Sequence, residues 1–282
     1  QCKFCTFSLN PLGQKRTYAE RSLESVIEEL KTITADVVLF SDDNFFTNPK
    51  RSEKLCDLII ENNIKKAFTV QTRIEIAKHP ALLEKSERAG FKFFLMGIES
   101  PHDKILKQFQ KGFTQEKIRE AFKILNKYNF FIHGYFIYGN IGETEDEMVY
   151  IADFAKELHL DTISFQKLRM EKYSPLKEVI ATTPGYYYEN DGGPVYSDKY
   201  GPKDLKRIRN KIKSRFYDFE QVRHIVSKAW KVRLIKKSDL IILFLSLPQL
   251  LYRVLKRELL KKITSKEPGF VGKIGRLFYQ PS

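Results

Sequence analysis

Phe130-Phe-Ile-His-Gly-Tyr-Phe-Ile-Tyr138, followed by Gly139-Asn-Ile-Gly-Glu-Thr-Glu-Asp-Glu147, reads as a strand, a tight turn and the start of a helix. The first stretch is dominated by aromatic and β-branched side chains, which suit a pleated sheet. Gly139 supplies a turn that needs an unhindered backbone. The acidic run Glu143–Glu147 stands where the helix macrodipole favours negative charge. The spacing predicts a helix over Glu143–Leu158.

The same unit repeats on both sides. Upstream, Leu23, Val26, Ile27, Leu30 and Ile33 have helical spacing behind a cap at Ser22, and Glu24 lies in the first turn. Asp36–Ser41 reads as a strand, about 50–63 as a helix, and Ala67–Thr72 as a second strand. Pro80 opens a helix that Gly90 closes, and Phe91–Gly97 is the next strand. Helical stretches at about 101–109 and 115–128 lead into Phe130–Tyr138, and Asp161–Gln166 is the last strand. Strands alternating with helices build parallel βαβ units. Five such strands do not close an eight-stranded barrel. They predict an open or partial barrel, which a strand before residue 1 would bring to six.

In parallel α/β folds, sites form at the carboxyl ends of the strands. Those ends are polar here: Ser41-Asp42-Asp43-Asn44, Gln71-Thr72-Arg73-Ile74-Glu75, Gly97-Ile98-Glu99-Ser100 and Tyr138 to Thr144. Each also has a plainer reading. Asp42-Asp43-Asn44 suits loop solvation or a helix cap. Gly97 and Gly139 suit turns, and Glu143–Glu147 suits a helical first turn. Four polar ends on one rim favour ligand contact.

The chain has 282 residues, of which 42% are hydrophobic, enough for a substantial core. Between residues 200 and 282 there are 21 Lys+Arg against 6 Asp+Glu, a net of +15 where the whole chain is +14. The basic character therefore belongs to the tail. Three cysteines exclude a disulfide-stapled secreted domain and point to a reducing compartment. Cys56, within a helical pattern, reads as a small buried hydrophobe. Cys2-Lys-Phe-Cys5 aims two soft thiolates at one place, as a metal site or a redox disulfide does. The five His are scattered, and no second Cys pair completes a zinc site.

Over about residues 1–180 these motifs resemble the radical S-adenosylmethionine (SAM) superfamily. Cys2-Lys-Phe-Cys5 looks like the last two cysteines of its Cys-x-x-x-Cys-x-aromatic-Cys signature. Ser41–Asn44, Gly97–Ser100 and Gly134–Thr144 follow in the family's order and spacing. The branch it resembles includes anaerobic magnesium-protoporphyrin ester cyclase-like, cobalamin-associated proteins. The resemblance implies an α/β partial (β/α)6 TIM-like radical SAM barrel. It implies that the first cluster cysteine, four residues before Cys2, and a first strand precede Gln1, so that the chain is an amino-terminally truncated piece of a longer protein.

The implied function is a radical SAM enzyme. A [4Fe–4S] cluster cleaves SAM reductively, and the resulting 5′-deoxyadenosyl radical modifies an organic substrate. Carried over by position, Cys2 and Cys5 ligate iron and Phe4 packs beside the adenosyl group. Asp42 and Asp43 accept from the SAM ammonium, and Arg73 pairs with its carboxylate. Glu99 accepts from the ribose hydroxyls, and backbone around Tyr138 and Gly139 faces the adenine. A cobalamin domain in the full-length protein, a small-molecule or lipid-like substrate, a flavodoxin or ferredoxin reductant and a cytoplasmic location go with this reading. The fragment alone is expected to be inactive.

The organisation expected is a core over 1–180, a linker loop over 181–201 and a basic helical region over 202–282, with helices at Lys203–Lys213 and Glu220–Arg233. The apolar run Leu240–Leu251 is too short to span a membrane and is flanked by Lys and Arg. Peripheral membrane contact through 239–262, or cover for the open side of the barrel, both fit it. Nucleic acid is a weaker partner, because aromatics do not interleave with the cations. An RNA-modifying radical SAM enzyme and a non-catalytic metal-binding or membrane-surface protein that keeps the fold are the alternatives.

Overall fold

The computed structural model describes residue 6 and residues 9–232. Cys2, Phe4, Cys5 and the 239–262 segment lie outside the described residues. The expected alternation is present. Strands β1 (Val37–Phe40), β2 (Ala67–Thr72), β3 (Phe91–Glu99), β4 (Phe131–Tyr138) and β5 (Thr162–Lys167) form one parallel sheet in chain order. Helix α1 (Leu23–Thr32) precedes the sheet. α2 (Pro49–Glu61), α3 (Pro80–Ala89), α4 (Asp103–Gln108), α5 (Gln115–Leu125) and α6 (Glu145–Glu157) form the crossovers.

Local chemistry sets the ends of these helices. Ser22, Asn48, Thr114 and Thr144 each accept a hydrogen bond from the backbone N–H three residues on. Thr144 and Glu147 make a reciprocal capping box. Gly90 ends α3 at φ 96°, and a Cβ there would lie 2.4 Å from the Lys66 carbonyl oxygen. Glycine is therefore required on two grounds.

The two faces of the sheet differ. Phe68, Val70, Phe94, Met96, Ile132, Phe136 and Ile163 are buried under the helices. Helix α8 (Pro202–Phe216) adds Leu205, Ile208, Ile212 and Phe216 to that core. On the other face, Gln71, Leu95, Tyr135 and Ser164 are only half-buried, and Val37 and Leu39 are 54% and 58% exposed. Apolar strand residues left open in this way mark a face built to receive something other than the described helices.

Several expectations need correction. The helix read over Glu143–Leu158 begins at Glu145, because Thr144 is its cap and Glu143 is pulled into the turn. β3 runs on to Glu99 through an irregularity between Gly97 and Glu99. Residues 182–201, read as loop, contain an antiparallel pair, β6 (Tyr186–Tyr188) and β7 (Val195–Ser197), closed by Asn190-Asp-Gly-Gly193. Helix α7 (Leu176–Ala181) and short 3-10 turns at Phe45–Thr47 and Ile74–Lys78 were not anticipated. The two basic helices are present as α8 and α9 (Phe219–Lys231). No helix among the described residues is long and apolar enough to cross a membrane.

Candidate functional site

The described candidates all fall at the carboxyl ends of β1 to β4, which are neighbours in the sheet. Asp42 and Asp43 follow β1. Both are exposed, and neither has a hydrogen bond or ion pair to a described residue. The cap of α2 is Asn48, so the capping reading of Asp42-Asp43-Asn44 does not hold.

Arg73 and Glu99 are drawn together by a residue that the sequence did not single out. The Arg73 guanidinium clasps Glu75 through Nε (3.1 and 3.2 Å) and Nη2 (2.8 Å), and Nη2 also donates to the Lys111 carbonyl at 2.9 Å. Lys111 Nζ donates to Glu99 Oε1 at 3.1 Å in a pair whose side chains are 5% and 12% exposed. Phe113 lies under both cations, 5.7 Å from Arg73 and 5.5 Å from Lys111. Burial is the largest influence on the Glu75 carboxyl and works to raise it, but the Arg73 hydrogen bonds and charge, with its own backbone N–H and the Lys111 charge, together hold it below the usual range. Glu99 sits at φ 70°, unusual for a non-glycine residue. Gly97 makes room for its side chain, since a Cβ there would fall 2.6 Å from Glu99 Oε1. Lys111 lies in Gln110-Lys-Gly-Phe113, between two helices, where no periodicity reports on it.

Across the open face the register forms polar rows. Gln71, Leu95, His133 and Thr162 stand side by side, and next to them Gly97, Tyr135 and Ser164. His133 Nδ1 lies 2.7 Å from Thr162 Oγ1, and Tyr135 meets the imidazole edge-on at 4.7 Å. Burial lowers the His133 pKa from 6.5, so the ring is neutral at pH 7. The alternation within β4 was the signal that would have found this row, because His133, Tyr135 and Ile137 share one face.

The turn after β4 holds a buried acid. Glu143 is 3% exposed, and its Oε2 accepts from the Asn140 N–H (3.0 Å) and Nδ2 (3.1 Å). Among the described residues Glu143 Oε1, Asn140 Oδ1 and the Tyr138 hydroxyl have no partner. Burial pushes the Glu143 pKa up to about 7, against the opposing pull of the Asn140 and Gly139 backbone. A carboxyl that holds its proton more tightly folded than unfolded makes stability fall as pH rises from about 4.5 to about 7. The fall expected is up to about 3 kcal/mol. Glu143→Gln should abolish it, as read from denaturation midpoints at pH 5 and pH 8.

Tyr138 shares its strand face with Ile132, Gly134 and Phe136, on the side that the helices cover. Only the backbone of Tyr138 and Gly139 is thus at the rim. Its ring points toward α8.

The sequence pattern of the radical SAM superfamily matches residues 1–155. An uncharacterized methyltransferase of Pyrococcus horikoshii is 30% identical over 168 residues, covering 58% of this chain and 36% of that protein. The anaerobic magnesium-protoporphyrin IX monomethyl ester cyclase of Synechocystis is 29% identical over 133 residues, covering 44% and 27%. The chain thus spans less than half the length of these relatives. Among solved structures, the radical SAM methyltransferase TsrM of Kitasatospora setae, with cobalamin and a [4Fe–4S] cluster bound, superposes with a TM-score of 0.57. The superposition covers 85% of this chain and 51% of TsrM at 17% identity, a likeness that shows the fold. The five-stranded sheet with its helices is thus the partial TIM-like barrel of these proteins, and the chain belongs to the radical SAM superfamily, whose enzymes work with a [4Fe–4S] cluster and SAM.

Proposed function

We propose that the full-length protein cleaves SAM reductively and uses the radical to modify a small organic molecule of lipid-like or tetrapyrrole-like character. The observation that carries this reading is the convergence of Asp42, Asp43, Arg73, Glu99 and the Gly139 backbone on the carboxyl ends of four adjacent strands, beside a sheet face left open. When bound, the cluster supplies the electron that breaks the sulfonium carbon–sulfur bond of SAM. The protein binds, orients and shields.

The residues present suit SAM. Asp42 and Asp43 are two carboxylates uncommitted among the described residues and suited to an ammonium, and charge-assisted hydrogen bonds of this kind are strong. Arg73 offers a planar fork to a carboxylate, in exchange for part of its hold on Glu75. Glu99, fixed by Lys111, presents its remaining acceptor capacity to ribose hydroxyls. Cys2 and Cys5 supply two of the cluster thiolates, with Phe4 beside the adenosyl group. Methyl transfer, named for the Pyrococcus relative and for TsrM, is the outcome to assay first, with cobalamin supplied. A cytoplasmic setting with a flavodoxin or ferredoxin as reductant fits this chemistry.

The test is the full-length protein, made anaerobically and incubated with SAM and dithionite. Formation of 5′-deoxyadenosine, lost in Cys5→Ala, is expected by mass spectrometry. S-adenosylhomocysteine in its place would overturn the radical step in favour of direct methyl transfer.

A further inference from the structure

β5 is the edge strand of the sheet among the described residues, and a cavity of about 790 Å³ runs along it toward α8. Its walls are amphipathic in a specific way. Tyr138, Ile163, Phe165 and Tyr217 supply apolar surface, and Lys167, Arg169, Arg209 and Lys213 supply charge. Among the described residues no carboxylate lines the cavity, and none of the four cations has an ion-pair partner.

Three other cations of α8 are paired. Arg207 and Lys211 both bind Glu145, and Arg215 binds Asp153 at 2.6 Å. The helix thus neutralises the cations on one flank and leaves Arg209 and Lys213, four residues apart, facing the cavity. Lys167 and Arg169 meet only neutral groups: Lys167 Nζ lies 5.2 Å over the Tyr196 ring, and Arg169 Nε donates to the Gly192 carbonyl at 2.8 Å. A second observation points the same way. Tyr138, 1% exposed, is one of the lining residues, and among the described residues its buried hydroxyl has no partner. A buried hydroxyl left unpaired costs about 1–3 kcal/mol unless something supplies its hydrogen bond. The Tyr217 hydroxyl is committed by contrast, accepting from the Ile163 N–H at 3.1 Å and donating to its carbonyl at 2.9 Å.

We infer that this cavity binds a small-molecule anion, a carboxylate or phosphate on an apolar body, with the cations at Arg209 and Lys213 holding the anionic group. The volume suits a compact ligand with a flat or aliphatic body. This deepens the proposed function by naming the substrate's chemical class. It rests on that function only for the chemistry after binding.

Calorimetry on the full chain, with no SAM present, tests it directly. The probes are 1-naphthoate, 1-naphthyl phosphate, 1-naphthylmethylammonium and inorganic phosphate. At least one naphthyl anion should bind about tenfold or more tightly than the ammonium, and the stronger of the two identifies the anionic group. Inorganic phosphate alone should bind more weakly than the naphthyl anions. Arg209→Gln and Lys213→Gln should each weaken anion binding by about tenfold. Both residues are exposed on a helix that Gln continues well, so these variants fold. Lys206→Gln, elsewhere on α8, should change nothing. Equal binding of the ammonium, or wild-type anion affinity in the Arg209→Gln/Lys213→Gln double variant, would overturn the proposal. Either result leaves 5′-deoxyadenosine formation untouched, so the two readings fail separately.

Discussion

Lys111→Met should lower the unfolding free energy by about 3–5 kcal/mol, because it leaves the Glu99 carboxylate buried without its partner. The aliphatic stem of Met still packs on Phe113, so the loss reports the charge and not the volume. Removing both charges in Glu99→Gln/Lys111→Met should recover most of the stability, since a neutral pair carries no desolvated lone ion. Gly97→Ala works on the same contact, because its Cβ displaces Glu99 Oε1 from a position 3.1 Å from Lys111 Nζ. It should therefore be less than additive with Lys111→Met. Urea denaturation of the single and double variants gives these values. A cost under about 1 kcal/mol for Lys111→Met would mean that the pair is solvated like a surface ion pair.

Asp42→Asn/Asp43→Asn should act on binding alone. Both side chains are exposed and make no hydrogen bond or ion pair with a described residue, so the melting temperature should stay within the error of the wild type. SAM affinity should fall by about tenfold to a hundredfold, the weight of a charge-assisted hydrogen bond lost at an ammonium. Equilibrium dialysis of labelled SAM against the anaerobic full-length protein measures it. Unchanged affinity would move the ammonium site away from the β1 end.

What the sequence made legible was local. Ser22 and Gly90 act on backbone groups within a few residues, and the strand Ala67–Thr72 shows its alternation unaided. The rim followed from the fold class, because parallel strands put their carboxyl ends on one side. What escaped depends on contacts distant in the chain. Lys111 matters through Glu99, 12 residues away, and His133 through Thr162, 29 residues away. No periodicity marks Lys111, and the alternation of β4 places His133 on the open face without showing its partner. The β6–β7 pair escaped because three-residue strands in a run of tyrosines and turn residues carry too little pattern. Tyr138 was named for its backbone, and only the packing of α8 shows that its side chain borders a second cavity.

The claim on which the rest depends is that the carboxyl rim of β1 to β4 holds SAM. A crystal structure of the anaerobically reconstituted full-length protein with SAM bound is the decisive test. The expected pose has the methionyl ammonium within hydrogen-bond distance of Asp42 or Asp43, the carboxylate on Arg73, the ribose on Glu99 and the adenine against the Gly139 backbone. SAM seated away from these four strand ends, or at the cavity between β5 and α8, would refute it.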